Sequence, residues 1–211
     1  MSLRRRCVII GCGLHASSVI SIVENSVEEY EVAGLIDTAP SFDPNERKSG
    51  YRVLMALDDL FRIGSAYKEW HCVLAIGDGE KRSMIFSRLR SAGFQIPNIV
   101  SRNAFVDRSA VMGCGNIIAH NAVFNAEASL GDNNLINTGV IIEHHCSLGN
   151  HNHLAPKSLL CGGVSVSDLV FVGGGATITP NLKIAEGVVL GAGATLVKSA
   201  GIKEKVLVGV P

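Results

Sequence analysis

The feature that most constrains this chain is a period of six. Stepping by six from Val100 meets Val106, Met112, Ile118, Phe124, Leu130, Ile136, Ile142, Leu148, Leu154, Leu160, Val166, Val172, Ile178, Ile184, Leu190 and Leu196, so 17 consecutive positions are apolar without one insertion. The chain is 47% hydrophobic, too little for such a run by chance. An α-helix repeats at 3.6 residues and has no period of six, so an amphipathic helix does not account for the pattern. Repetition this regular outranks local propensity as a guide to fold. Four residues after the apolar position the side chain is mostly small, as at Ala104, Ala110, Ala122, Ala128, Cys146, Ser158, Ala176 and Ala194. Glycine often follows the apolar residue directly, at Gly113, Gly131, Gly149, Gly173 and Gly191.

A triangular prism satisfies this grammar. Each hexad is one flat side, three hexads make a coil of about 18 residues, and coils stack as parallel strands about 4.8 Å apart. The apolar residue points into the prism, and the small residue near the corner lets the chain turn. Residues one coil apart in sequence then lie one above another. Val172-Gly-Gly-Gly-Ala-Thr falls beneath Leu190-Gly-Ala-Gly-Ala-Thr, leaving an outer surface nearly bare of side chains, against which a long thin ligand can lie. Abundant Gly (23) and scarce aromatics (5%) suit tight corners better than a bulky core.

Residues 1–97 follow another grammar and form a first domain, with the prism at 98–211. Strands are expected at 6–10, 32–36 and 73–76, and helices at 15–25, 58–64 and 80–92. Alternating strands and helices predict a small, Rossmann-like parallel α/β sheet. The polar stretch 38–50 reads as a loop. Gly11-x-Gly13-x-x-Ala16 follows a strand and opens a helix, so its backbone N–H groups can meet a phosphate at the helix N-terminus. Asp37, at the end of the second strand, is placed to accept hydrogen bonds from a ribose or base.

The charge balance, 19 basic against 19 acidic residues, gives no electrostatic case for nucleic acid. No apolar run reaches the length of a membrane span, and Arg4–Arg6 before Cys7-Val-Ile-Ile lacks the rest of a signal peptide. Six cysteines lie far apart with no Cys-x-x-Cys pair, which argues against a zinc site or a disulfide framework and for reduced cytoplasmic thiols.

Val8-Ile-Ile-Gly-Cys-Gly-Leu-His-Ala16, Gly34-Leu-Ile-Asp37, Ala75-Ile-Gly-Asp78, Asn137-Thr-Gly-Val-Ile-Ile-Glu-His-His-Cys146, His153 and Val208-Gly-Val-Pro211 together resemble the hexapeptide-repeat sugar acyltransferases. That family is related to sialic acid O-acetyltransferase and to the UDP-4-amino-sugar N-acetyltransferases of the bacillosamine and perosamine type. The resemblance covers essentially the whole chain. It implies a left-handed coil and a homotrimer with active sites at subunit interfaces. It also implies acetyl-CoA in the groove between neighbouring prisms and a nucleotide-sugar held by the N-terminal half. His144 matches the general base. An acidic residue commonly follows that base, and here His145 stands in its place. Glu127, one full coil before His145, or Glu143 is the expected substitute. His153, Gly174 and Ala192 match positions that contact acetyl-CoA. Gly11, Gly13, Leu14, His15, Asp37 and Gly77 form the expected substrate site, with Leu14 standing where the family usually shows Gly.

The expected activity is acetyl-CoA-dependent N-acetylation of a nucleotide-linked 4-amino-4-deoxy sugar, by direct transfer and without a metal. O-acetylation of a sugar of the sialic acid type is the alternative, since the base is the same and only the acceptor pocket differs. A zinc carbonic anhydrase on the same prism needs three converging histidines, two of them five positions apart. The histidines at 120, 144, 145, 151 and 153 contain no such pair. An NAD oxidoreductase would need a second mononucleotide unit that residues 1–97 lack. A non-catalytic β-helix is the remaining reading.

Overall fold

The computed structural model describes residues 5–39, 43, 45, 47–63, 67–201 and 206–210. Gly64, Pro211 and residues 40–42, 44 and 46 of the expected loop lie outside the described residues. The chain divides into two compact units, residues 1–100 and 101–211.

In the first unit, β1 (Arg5–Ile10), α1 (Leu14–Glu24), β2 (Tyr30–Asp37), β3 (Arg47–Lys48), β4 (Tyr51–Ala56), α2 (Leu57–Ile63), β5 (His71–Leu74) and α3 (Gly79–Ser91) follow in order. The sheet runs β3-β4-β2-β1-β5. All its pairs are parallel except β3 with β4. Cys7–Ile10 are all buried, as expected of a central parallel strand covered on both faces. From β1 the chain winds outward through β2 to β4, then returns to β5 on the other side of β1. The strand order therefore reverses between β1 and β5, where open α/β sheets bind their ligands. Strand β4 is absent from the sequence reading. Its apolar residues run into those of α2 with no punctuating Gly or Pro, and periodicity alone does not separate a short strand from a helix start there.

In the second unit, two-residue strands recur at every hexad from Phe105–Val106 to Thr195–Leu196. They stack in three parallel sheets. Val123 pairs with Ile141, Ser129 with Ser147 and Leu135 with His153, each one coil on. From Ile118 to Leu196 every sixth residue is buried, so the apolar run is the inner lining of the prism. The strict register ends there: Leu190 pairs with Leu207, one position short of a full coil.

From Gly115 to Gly193 each corner turns on one left-handed residue. Gly115, Asn121, Glu127, Asn133, Gly139, His145, His151, Lys157, Gly163, Leu169, Gly175, Asn181, Gly187 and Gly193 all have positive φ. The turn is thus made one residue before the small side chain, which tucks inward. One corner carries a polar ladder that the sequence reading did not find. Asn116, Asn134 and Asn152, in successive coils, are 0%, 1% and 0% exposed. Asn134 Nδ2 donates to Asn116 Oδ1 (3.0 Å) and to Gly149 O (3.0 Å). Its Oδ1 accepts from Asn152 N at 2.9 Å, and Asn152 Oδ1 accepts from Val170 N at 2.8 Å. Beside it, Asp132, Asn150 and Asp168 each accept from a backbone N–H one coil earlier. Gly113, Gly131 and Gly149 make room for those oxygens, which a Cβ would meet at 2.1–2.4 Å.

The Asn134→Ala variant leaves the buried Asn152 N–H and Gly149 carbonyl without partners. A cost of about 2–4 kcal/mol follows, read as a lowered midpoint in chemical unfolding. An unchanged midpoint contradicts a structural role for the ladder.

Candidate active site

The residues Glu143–Cys146 form the corner after the strand Ile141–Ile142. Ile142 and Cys146 point into the prism at 0% and 1% exposure, which turns His144 and His145 outward. One coil earlier Glu127 occupies the same corner position as His145. Both are left-handed, with φ of 56° and 60°, so their side chains leave the backbone in parallel. Glu127 Oε2 lies 2.9 Å from His145 Nε2. His145 Nδ1 lies 3.0 Å from His144 Nδ1, and the two rings meet edge to face at 5.2 Å and 88°.

One proton fits between the two Nδ1 atoms. A neutral His145 that donates its Nε2–H to the Glu127 carboxylate has a lone pair on Nδ1, so His144 must donate Nδ1–H to it. The lone pair of His144 is then on Nε2. The chain of contacts Glu127–His145–His144 thus ends in a basic nitrogen at the surface. Glu127 and His145 are 65% and 61% exposed, so their pairing adds little to stability. Its value lies in orientation. The carboxylate of Glu143 makes no hydrogen bond to either histidine among the described residues, so of the two expected carboxylates Glu127 is the one in reach.

His153 stands on the outer surface of a different sheet and meets Phe171, one coil on, edge to face at 5.1 Å. The neighbouring corner holds three glycines with three tasks. A Cβ on Gly173 would lie 2.4 Å from Ala192 N, so stacking forbids it. Gly175 takes the left-handed turn, with φ +66°. Gly174 needs neither: the nearest atom to a Cβ there is Pro156 O at 3.4 Å, and its outer side is open. Gly174 and Ala192 share one column, as the coil register requires. That column lies across the sheet of Ile141, Leu159 and Thr177 from the His144 corner. A single chain therefore brings Glu127, His145 and His144 together, and keeps His153, Gly174 and Ala192 apart from them. Among the described residues no three His, Cys, Asp or Glu side chains converge on a metal position.

In the first unit the expected substrate residues gather at the carboxyl ends of β1, β2 and β5. Gly11 N donates to Ile36 O at 2.8 Å. Its φ is +114° and a Cβ would sit 2.9 Å from Ala75 O, so only glycine fits. Gly13 is the N-cap of α1, with no side-chain cap and no acidic residue in the first turn. That leaves a helix N-terminus suited to an anion. Leu14 is 92% exposed beside it. Asp37 ends β2, and its Oδ1 accepts from Ala39 N at 2.9 Å. Lys81 Nζ, from α3, donates to Thr38 Oγ1 at 2.9 Å.

Sequence reasoning missed Arg82. It is 2% exposed, and its Nη1 donates to Ile76 O (3.0 Å) and Gly77 O (3.1 Å), fixing the turn that presents Gly77. Burial holds its pKa down to about 10, against the opposing pull of Asp78. A signal was available: Arg82, Ile85, Phe86 and Leu89 form the buried stripe of α3, at the i, i+3, i+4, i+7 spacing of an inward face. His15 has its pKa lowered, first by burial and then by the Arg82 charge. Both causes favour the neutral imidazole.

This combination places the protein among β-helical acyltransferases: a glycine-rich turn on a parallel sheet, then a prism with a carboxylate-backed histidine on its outer corner. The PglD N-terminal domain family matches residues 6–89. Comparison with curated protein sequences gave no significant match. Among solved structures, a histidine-to-asparagine mutant of perosamine N-acetyltransferase from Caulobacter crescentus, in complex with CoA and GDP-perosamine, is 31% identical. It aligns over 100% of this chain and 96% of its own, with a TM-score of 0.88. The acetyltransferase domain of PglB from Neisseria gonorrhoeae, in complex with acetyl coenzyme A, shares the fold at 24% identity. It covers 99% and 98% of the two chains, with a TM-score of 0.88. WeeI from Acinetobacter baumannii shares it at 22% identity over 98% of each chain, with a TM-score of 0.79. The chain belongs to the hexapeptide-repeat sugar acyltransferase family, and its prism is a left-handed parallel β-helix.

The lowered pKa of His15 has a stability consequence. As pH falls, the unfolded chain takes up this proton first, so the His15 contribution is present above about pH 6.5 and is lost below it. The His15→Gln variant flattens the fall of the thermal midpoint below pH 6.5. A variant whose midpoint falls as steeply as the parent's contradicts this assignment.

Proposed function

We propose that the protein is an acetyl-CoA-dependent N-acetyltransferase acting on a nucleotide-linked 4-amino-4-deoxy sugar, with His144 as general base. The observation that carries this reading is the Glu127–His145–His144 chain of contacts, which leaves His144 Nε2 basic and outward. The family relative solved with CoA and GDP-perosamine supports the substrate class.

Transfer is direct. The sugar amine attacks the thioester carbonyl carbon, and a proton of the amine passes to His144 Nε2. The new N–C bond forms, the C–S bond breaks, and the proton is delivered to the departing CoA sulfur. The imidazolium formed on His144 is stabilised through His145 by the Glu127 carboxylate. The nucleotide is held by the first unit, its phosphates at Gly11, Gly13 and the α1 N-terminus with Leu14, His15 and Gly77 alongside, and its ribose or base at Asp37. The pantetheine arm runs along the Gly174–Ala192 column near His153. Because that column and His144 lie on different corners of one prism, two neighbouring prisms complete a site, which favours a homotrimer. No described helix is long and apolar enough to cross a membrane. Dependence on acetyl-CoA argues for work in the cytoplasm, in the synthesis of surface glycans.

The test is CoA release from acetyl-CoA with a panel of UDP-, GDP- and dTDP-linked 4-amino sugars, run beside hydroxyl acceptors of the sialic acid type. Turnover with the amine class supports the reading, and turnover confined to hydroxyl acceptors replaces it with O-acetylation. The His144→Ala variant loses about 10²–10⁴-fold in rate; full activity in it removes His144 as base. Replacing Glu127 by Gln lowers kcat by about 10-fold. An unchanged kcat excludes Glu127.

A further inference from the structure

We infer that Gly162 is the seat that holds His144 in its working orientation, a positioning residue whose role is to have no side chain. Gly162 lies one coil after His144, in the same corner column. The edge of the imidazole occupies the space where a side chain at 162 would begin. A Cβ built there falls 2.7 Å from His144 Cε1, 2.8 Å from Nε2 and 3.3 Å from Nδ1.

The backbone does not demand glycine at this position. Gly163 beside it takes the left-handed turn, with φ +71°, whereas Gly162 does not have a left-handed φ. The three atoms nearest to such a Cβ all belong to the His144 ring and none to backbone. The ladder through this corner uses other atoms: Gly163 N donates to His144 O and Asn181 N to Gly162 O, each at 3.0 Å. An alanine is therefore compatible with the fold and incompatible with the ring where it lies.

The consequence concerns the proton. The ring lies edge-on against the coil that follows it, with Nδ1 turned to His145 at 3.0 Å. That contact assigns the Nδ1–H tautomer and leaves Nε2 to the substrate. A methyl group at 162 lifts the ring away, breaks the Nδ1–Nδ1 contact and returns His144 to the mixture of tautomers of a free imidazole. Misplacement of about 1 Å is enough to cost about 100-fold in rate.

The catalytic meaning rests on His144 being the base, but the seat itself is tested without turnover. Ring ¹⁵N spectra of the full-length protein, assigned by loss of signals in His144→Ala, show His144 as Nδ1–H and His145 as Nε2–H at a pH where both are neutral. Gly162→Ala keeps a thermal midpoint within about 2 °C of the parent, while the His144 Nδ1–H signature is lost. With the acceptor that turns over, kcat falls by about 10-fold or more and KM for acetyl-CoA changes less than about 3-fold. In the His144→Ala background the same substitution has no further effect on rate. A Gly162→Ala protein that retains the Nδ1–H tautomer overturns the seat. Loss of that tautomer with His144→Ala still fully active keeps the seat and removes the catalytic reading of His144. If the alanine variant fails to fold, Gly162→Ser/His144→Gly decides: it is folded if the ring alone is the obstacle, and unfolded if it is not.

Discussion

The left-handed backbone residue that recurs once per hexad from Gly115 to Gly193 turns the chain at those corners of the prism, and the rest of the second unit depends on it. Because those turns share one conformation, each coil consumes three hexads, and strands pair with that offset from Val106 to Leu196. The offset keeps the apolar lining pointing inward. It also places the outward side chains of successive coils in columns. A site on such a surface is assembled by register alone: a residue is brought to another by standing one coil away.

That constraint is in tension with the identity of the corner residues. Glycine and asparagine enter the left-handed region cheaply, whereas other residues cost about 1–2 kcal/mol there. Glu127 and His145 are both of the costly kind, in consecutive coils of the same column. Their strained conformation is what sends the two side chains out in parallel, close enough for the 2.9 Å contact. Lys157 and Leu169 carry the same strain without such a contact, so strain by itself does not mark a site. Strain together with a contact and a basic nitrogen facing outward does. One coil on, Gly162 and Gly163 divide the labour differently, the first clearing space for a ring and the second making the turn.

The prism was legible in the sequence because one period governs it, and periodicity survives any choice of side chain among the apolar residues. The first unit was legible in its outline, yet β4 was not, since Tyr51–Leu57 offers no turn residue between strand and helix. The column arithmetic put Glu127 under His145 and Gly174 under Ala192. It did not reveal the buried Asn116–Asn134–Asn152 ladder, because asparagine reads as a surface or turn residue until its burial is known. Arg82 was hidden for the same reason: a charge on a helix is usually solvated, and only the stripe it shares with Ile85, Phe86 and Leu89 betrays it. Gly162 was invisible, since what matters there is a neighbour's ring and not its own conformation.

The central claim is that the support of His144 is set by coil register, with a carboxylate borrowed from the coil before. Moving that carboxylate tests it most directly. The variant combining Glu127→Gln with His145→Glu places an acidic group beside His144 Nδ1 in its own coil and removes the distant one. CoA release is measured for this pair and for each single change, under the same acceptor. Glu127→Gln is expected to be slow, and adding His145→Glu to raise the rate by about 10-fold. A double variant no faster than Glu127→Gln alone contradicts it.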